Sequence, residues 1–276
     1  MNSLTLARPL PTSRPALAAT AAAMAPARAG TLSTLWALTG FSLALLLGFA
    51  AAGALDARML DGGSVWLKPA KFALSFVVLY LTMALVAERL STAVREGRAM
   101  RGVLAVMTAA TAFEMAYIAA QAGRGVHSHF SVHTPLTALM YALMGIGIVG
   151  VLAWRDRAAR FGPALRLGLG LGFVLSAVLT LVVAGYLSSL GSHHVGTPSQ
   201  GAAALPLLGW SLEVGDLRPA HFLALHAMQA LPLLGLWLDR RGRSGTGLLW
   251  AAAAGYAALT IAVFVQALMG LPLLRM

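Results

Sequence analysis

Seven long apolar runs, separated by short connections that hold most of the charged residues, constrain this chain more than any other feature. About 20 apolar residues cross a bilayer as an α-helix, so each run is long enough for one crossing. Only 11% of the residues are charged, which is too few to cover a water-soluble domain. The sequence therefore predicts an all-α, polytopic membrane protein with seven transmembrane helices, called spans one to seven, at residues 34–54, 67–87, 103–122, 135–154, 165–187, 219–238 and 247–271.

The basic residues of the connections predict the direction of the helices. Fourteen arginines lie in the N-terminal segment and near the second, fourth and sixth connections, against four arginines and both lysines on the opposite side. Cytoplasmic connections carry the excess of Lys and Arg, so we predict a cytoplasmic N-terminus and an external C-terminus. A signal-peptide cleavage site at residues 27–29 is disfavoured, because cleavage would place the arginine-rich connections outside.

The composition also divides the chain. Residues 1–33 are rich in Ala, Pro and Arg, and we expect a disordered cytoplasmic tail there. Residues 34–276 form the predicted transmembrane domain. The arginines sit between apolar runs, so anionic lipid headgroups, and not nucleic acid, are the expected counter-ions.

Strongly polar side chains inside the predicted helices lie in the half nearest the external side. Glu114 precedes Gln121, at the outer end of span three, by seven residues, or roughly 10 Å. Glu114, Tyr117 and Gln121 recur at i, i+3 and i+7 and so share one face of that helix. An intramembrane acid costs roughly 2.5–3.5 kcal/mol, so we expect a partner, and Lys71 is the predicted one.

Spans two, four, six and seven place further polar groups in the same layer, which predicts a cavity open to the outside. Lys68, Lys71 and Ser75 share one face of span two, and His226 and Gln229 are neighbours on span six. The predicted catalytic residues, if the protein is an enzyme, are Glu114 and His226. The predicted ligand-binding residues are Lys68, Lys71, Ser75, Tyr117, Gln121, Arg124, Tyr141, His221, Gln229 and Gln266.

The external connections carry most of the histidines. Residues 188–218 form the longest connection between spans, and we expect them to fold over the cavity as a lid. Histidine is a common ligand of zinc, copper and iron. His129, His133, His193 and His194 are therefore candidate metal ligands for zinc, copper or haem b, although no fixed spacing such as H-E-x-x-H occurs.

Three segments resemble an uncharacterised family of bacterial multi-pass membrane proteins. They are residues 66–75 (WLKPAKFALS, with the pattern W-x-K-P-x-K-F-x-x-S), 128–130 (SHF) and 215–222 (GDLRPAHF). The resemblance covers most of spans two to six. It implies the architecture of a bacterial inner-membrane protein and no particular activity.

Two functions fit these features. Lys68, Lys71, Arg124 and Arg218 ring the outer mouth, which favours a sensor, binder or transporter-like protein for a small anionic or carbonyl-bearing ligand. In this hypothesis Glu114 and the histidines relay protons. The alternative is a metal-dependent intramembrane hydrolase or oxidoreductase that acts at the external face, with Glu114 as the general base. The sequence leaves open whether any reaction is catalysed.

Overall fold

The computed structural model describes residues 30–60, 63–126, 134–199, 201–205, 208–243 and 245–274; for residues 134–144 it describes the backbone alone. Two short antiparallel strand pairs join β1 (Met59–Leu60) to β2 (Gly63–Ser64) and β3 (His194–Val195) to β4 (Gly215–Asp216). The helices are α1 Thr31–Leu55, α2 Leu67–Ala87, α3 Thr92–Arg95, α4 Arg98–Arg124, α5 Thr134–Arg155, α6 Pro163–Leu190, α7 Arg218–Arg240 and α8 Thr246–Leu268.

Six of these helices are long and apolar enough to cross a membrane, namely α1, α2, α4, α6, α7 and α8. The prediction of an all-helical, multi-pass membrane protein is confirmed to that extent. The 22 residues of α5 coincide with predicted span four, and Gly145–Arg155 within it are apolar. That α5 crosses the membrane stays a prediction. The predicted tail falls almost entirely on residues 1–29, which lie outside the described residues.

Hydrogen bonds between distant segments show which helix ends share a side. Thr31 N–H donates to the Glu96 carboxylate at 3.1 Å, and Arg160 N–H donates to the Arg89 carbonyl at 2.8 Å. Asp239 binds the first turn of α6. The start of α1, residues 88–98, residues 156–166 and the end of α7 therefore lie together, and we call them the arginine end.

The opposite side holds the remaining helix ends. The Arg58 guanidinium donates to the Gly123 carbonyl at 3.0 Å, which joins the start of the α1–α2 connection to the end of α4. The Leu217 N–H donates to the His193 carbonyl at 2.9 Å, which closes the α6–α7 connection. We call this side the lid end, and residues 191–217 the lid.

Glycines allow α6 and α7 to pack in close contact. A Cβ on Gly168 would come within 2.6 Å of the Leu231 carbonyl, and one on Gly235 within 2.5 Å of the Ala164 carbonyl. Pro232 interrupts the hydrogen bonding of α7 at this contact, because proline has no N–H. Close backbone approach at small residues is how membrane helices gain packing energy without a hydrophobic driving force.

Candidate functional site

The lid is a folded segment that lies across the ends of several helices. The Leu205 N–H donates to the Trp210 carbonyl at 2.8 Å, so these two residues lie side by side. A bridge between Ala204 and Ser211 and the β3–β4 pair continue this arrangement toward α7. The lid meets α8 so closely that a Cβ on Gly215 would collide with the Ala267 carbonyl. Gly215 therefore packs directly against the end of α8.

Asp216 and Arg218 fasten the lid to the first turn of α7. The Asp216 carboxylate is 2% exposed and accepts from the Arg218 guanidinium at 2.6 Å and from the Ser211 N–H at 2.8 Å. Burial alone would raise the pKa of Asp216, but the hydrogen bond and the charge of Arg218 outweigh it and hold the pKa below its usual value. The carboxylate therefore stays ionised and compensates Arg218.

Lys71 connects α2 to the same segment. Its ammonium group donates to the Leu208 carbonyl at 3.2 Å, while Arg218 donates to the adjacent Gly209 carbonyl. Among the described residues Lys71 and Glu114 form no ion pair, so the predicted partnership between them is wrong in this structure. Lys71 binds a lid carbonyl instead of Glu114. Helical spacing does not indicate this partner, because the position of a backbone carbonyl depends on how the lid folds.

Glu114 lies on the buried face of α4. The residue is only 8% exposed, and the Oε2 atom of its carboxyl group has no hydrogen-bond partner among the described residues. The cation whose charge acts on this carboxyl group is Lys68 of α2. The charge of Lys68 also acts on His193 of the lid. The charge of Lys68 therefore acts both on a lid histidine and on the buried acid.

The two lid histidines are held in their neutral forms. Burial lowers the pKa of His193 to about 4, and the charges of Arg218 and Lys68 act in the same direction. Burial also lowers the pKa of His194, although Asp216 opposes the shift. The His194 Nε2 atom lies 3.8 Å from the Asp216 carboxylate. At neutral pH both histidine rings of the lid are therefore polar and uncharged.

A polar chain follows the α4 face above Glu114. The Gln121 amide donates to the Tyr117 hydroxyl at 3.4 Å, and the Arg124 guanidinium donates to the Gln121 amide oxygen at 3.4 Å. The ring of Tyr117 stacks on Phe113. The predicted shared face of Glu114, Tyr117 and Gln121 thus leads from a buried acid to an exposed arginine.

His226 and Gln229 form a second polar group that joins α7 to α2. The His226 ring hydrogen-bonds the Gln229 amide oxygen at 3.2 Å, and the Gln229 amide donates to the Thr82 hydroxyl at 3.2 Å. His226 also packs on Phe222, with ring centroids 4.2 Å apart, and Phe222 contacts Trp210 of the lid. These contacts make His226 part of a bridge between two helices.

Two predicted ligand-binding residues have structural partners instead. Ser75 is exposed, and its hydroxyl donates to the Lys71 carbonyl of its own helix at 3.0 Å. Gln266 donates to the Pro272 carbonyl at 2.6 Å and so fixes the chain after α8. Ser75 was predicted from helical spacing and Gln266 from its depth in span seven, and neither observation gives the partners available there. That these residues bind a ligand stays a prediction.

Other predicted residues are only partly placed. His221 lies in the first turn of α7, three residues after Arg218. The backbone of Tyr141 lies in α5, and its side chain is outside the described part. His129 and His133 also lie outside the described residues. Within the described ranges, no group of three or more His, Asp or Glu side chains could hold a metal ion.

Tyr80 and Thr111 form a buried pair that the sequence reasoning missed. Their hydroxyl groups lie 2.7 Å apart, and the Tyr80 hydroxyl also donates to the Met107 carbonyl at 3.2 Å. Thr111 is three residues before Glu114, so the pair adjoins the acid on the same face of α4. A tyrosine in an apolar run was the available signal, because a buried hydroxyl needs a partner.

No protein-family model, no curated protein and no solved structure matches this chain.

Proposed function

We propose that this chain is a seven-helix protein of the bacterial inner membrane, with its lid end outside, and that it binds a small anionic or carbonyl-bearing ligand together with a proton. The observation that carries the proposal is the buried Glu114 carboxyl group, which has an oxygen without a described partner and lies under the charge of Lys68. Intramembrane acids are costly and commonly serve ion or proton pathways.

The orientation is supported by the charges at the two ends. The lid end has Arg58, Arg124, Arg218 and the two lysines. The arginine end has more than twice as many cations, and an excess of basic residues is typical of the cytoplasmic side. Those cations are Arg89, Arg95, Arg98, Arg101, Arg155, Arg157, Arg160, Arg166, Arg240, Arg241 and Arg243. A reporter fused after residue 195 is expected to read as external, and a cytoplasmic reading would contradict the orientation.

The charges at the lid end favour an anion. Asp216 compensates Arg218, whereas Lys71 forms no ion pair with a carboxylate within 4.0 Å in the described contacts. In the described contacts Lys71 donates to a backbone carbonyl. An ammonium group of this kind can also bind a carboxylate or polarise a carbonyl group of a ligand.

Glu114 would couple this binding to a proton. An ionised Glu114 repels an anion and competes with it for Lys68. A protonated Glu114 is neutral and gains an O–H donor that can bind a ligand carboxylate. The described cation that acts on the Glu114 carboxyl group is Lys68 of α2. Proton uptake and anion binding therefore favour each other.

The test is calorimetric titration of the purified protein in detergent with acetate and with pyruvate, at neutral and at acidic pH. The expected wild-type result is tighter binding at acidic pH, accompanied by proton uptake. Glu114→Gln resembles the protonated acid in shape and charge, so its anion affinity should lose the dependence on pH. Lys68→Gln should weaken binding about tenfold or more.

The matched control is Arg101→Gln, which removes an exposed cation from the other end of α4. It should leave affinity and proton uptake unchanged. The proposal fails if neither anion binds, or if Glu114→Gln keeps the wild-type pH dependence. Stoichiometric zinc, copper or iron in elemental analysis, or the absorption band of haem, would instead support the metal-dependent alternative.

A further inference from the structure

The chain repeats one short segment at the start of two helices. Residues 67–72 read Leu-Lys-Pro-Ala-Lys-Phe, and residues 217–222 read Leu-Arg-Pro-Ala-His-Phe. Four of the six positions are identical, and the other two hold basic side chains in both segments. Each segment enters its helix at the lid end directly after a two-stranded pair, β1–β2 before α2 and β3–β4 before α7. The two helix entrances are therefore built alike.

The helices on either side of this segment also repeat. Both α1 and α6 contain the pattern G-F-x-L-x3-L-x4-A-G-x-L, from Gly40 to Leu55 and from Gly172 to Leu187. Both α4 and α8 contain G-x-L-x4-A-x2-A-x8-Q-A, from Gly102 to Ala122 and from Gly247 to Ala267. The three pairs occur in the same order along the chain, α1–α2–α4 and α6–α7–α8.

Burial follows the same correspondence in α4 and α8, where the matched pairs Leu104 and Leu249, Ile118 and Val263, and Ala122 and Ala267 are all buried. In α2 and α7 burial matches at the helix entrance, where Pro69 and Pro219 are both buried. Further along, the buried residues of α7 are out of register with those of α2.

We infer that residues 31–124 and 163–268, here called copy one and copy two, are a parallel duplication of one three-helix unit joined by α5, and that the anion site lies where the copies meet, with Lys71 and His221 as its equivalent specificity positions. Parallel repeats with ligands bound at the repeat interface are a known transporter arrangement. This inference rests on the proposed function for the identity of the ligand. The duplication itself does not.

Contacts between the copies occur at the repeated segments. Lys71 of copy one and Arg218 of copy two donate to adjacent lid carbonyls, and the charge of Arg218 acts on Lys71. Further along, Gln229 of copy two donates to Thr82 of copy one. The two helix entrances thus face one polar region from both sides.

The copies differ in the charges that the ligand would meet. Arg218, the counterpart of Lys68, is compensated by Asp216. Leu259 stands in α8 where the pattern places Glu114 in α4. Copy one therefore supplies the acid and two lysines, and copy two supplies His221 and the lid. A ligand with its negative charge at one end fits this division better than a symmetrical dianion.

The first experiment exchanges the two equivalent side chains in the full-length protein and measures acetate and pyruvate binding. Lys71→His alone should weaken binding about tenfold. Combining it with His221→Lys should return the affinity to within about threefold of the wild type, which a double-mutant cycle reports as coupling. The matched control combines Lys71→His with His226→Lys, a histidine of the same helix at a non-equivalent position, and should restore nothing.

Two results would overturn the shared site. One is a double exchange that binds no better than Lys71→His alone; the other is equal rescue by His226→Lys. If the wild type binds neither anion, the proposed function fails, and the duplication is judged by a second measurement that needs no ligand. The chain has no cysteine, so single-cysteine variants give a clean labelling background.

In that measurement Lys71→Cys and His221→Cys are labelled on intact cells with a maleimide that cannot cross the membrane. The duplication predicts that the maleimide labels both cysteines from the same, external side. Covering the lid end should protect both cysteines from the maleimide equally. Arg98→Cys, at the arginine end, should react only in permeabilised cells. Labelling of residues 71 and 221 from opposite sides would exclude two parallel copies.

Discussion

Two acidic residues at the arginine end, and Asp216 of the lid, have hydrogen-bond donors for their carboxylates, whereas Glu114 in the lid half of the bundle is not fully satisfied by the described residues. At the arginine end, Asp239 accepts the N–H groups of Ala164 and Leu165 at 3.0 and 2.8 Å, and Asp156 accepts the Ser91 N–H at 2.8 Å. At the lid end, Glu114 keeps an oxygen atom without a described partner.

The difference separates an end built for stability from an end that retains unused binding capacity. A carboxylate at a helix N-terminus satisfies N–H groups that have no partner within the helix and also meets the positive end of the helix dipole. A buried acid without such partners lowers stability, so it is retained for another reason. Mutations at the two ends should therefore have effects of opposite sign.

The largest effect is expected at the arginine end. Asp239→Ala removes two charge-assisted hydrogen bonds from the first turn of α6 and should lower the free energy of unfolding by about 3 kcal/mol. Titration with a denaturing detergent measures it. Asp239→Asn, which keeps one carbonyl oxygen, is the control and should lose less. Equal losses in the two variants would contradict the capping role.

A smaller loss is expected at the buried hydroxyl pair between the ends. Tyr80→Phe leaves the Thr111 hydroxyl without its 2.7 Å partner and should cost about 1 kcal/mol. Tyr256→Phe is the matched variant, because Tyr256 donates only to the Leu223 carbonyl of a helix. Tyr256→Phe should cost less, and the reverse order in the same unfolding assay would show that the pair is dispensable.

A gain is expected at the lid end. Glu114→Met replaces the buried carboxyl group with an apolar side chain of similar length and should raise the free energy of unfolding by about 1 kcal/mol or less, while abolishing proton-linked anion binding. If Glu114→Met is destabilised as strongly as Asp239→Ala, the claim that mutations at the two ends have effects of opposite sign is wrong.

The smallest effect concerns pH and is confined to the lid. The folded lid holds the pKa of His193 at about 4, against an ordinary value of 6.5, so the unfolded lid binds a proton more readily between these values. Stability conferred by the neutral ring is therefore present above about pH 6.5 and is lost as the pH falls toward about pH 4. Protease cleavage of the lid should increase in that range for the wild type. In His193→Gln, cleavage of the lid should depend less on pH. If cleavage of this variant keeps the wild-type pH dependence, another group causes it.

Much of the fold could be predicted from residue patterns. In the described part of the chain, each apolar run coincides with a long helix to within a few residues, because an apolar run of this length satisfies its backbone hydrogen bonds as a helix. Helical spacing also placed Glu114, Tyr117 and Gln121 on one face, and the structure agrees. Spacing did not indicate that the Ser75 hydroxyl donates to the Lys71 carbonyl of its own helix.

What the sequence alone determined is that the chain forms several long apolar helices, since this follows from local composition. Only the tertiary structure decided the partners. Folding of the lid placed the Leu208 carbonyl beside Lys71 and left Glu114 under the charge of Lys68, and such pairings depend on distances between segments far apart in the chain. Long-range geometry, and not residue type, therefore separates the capping acids from the unsatisfied one.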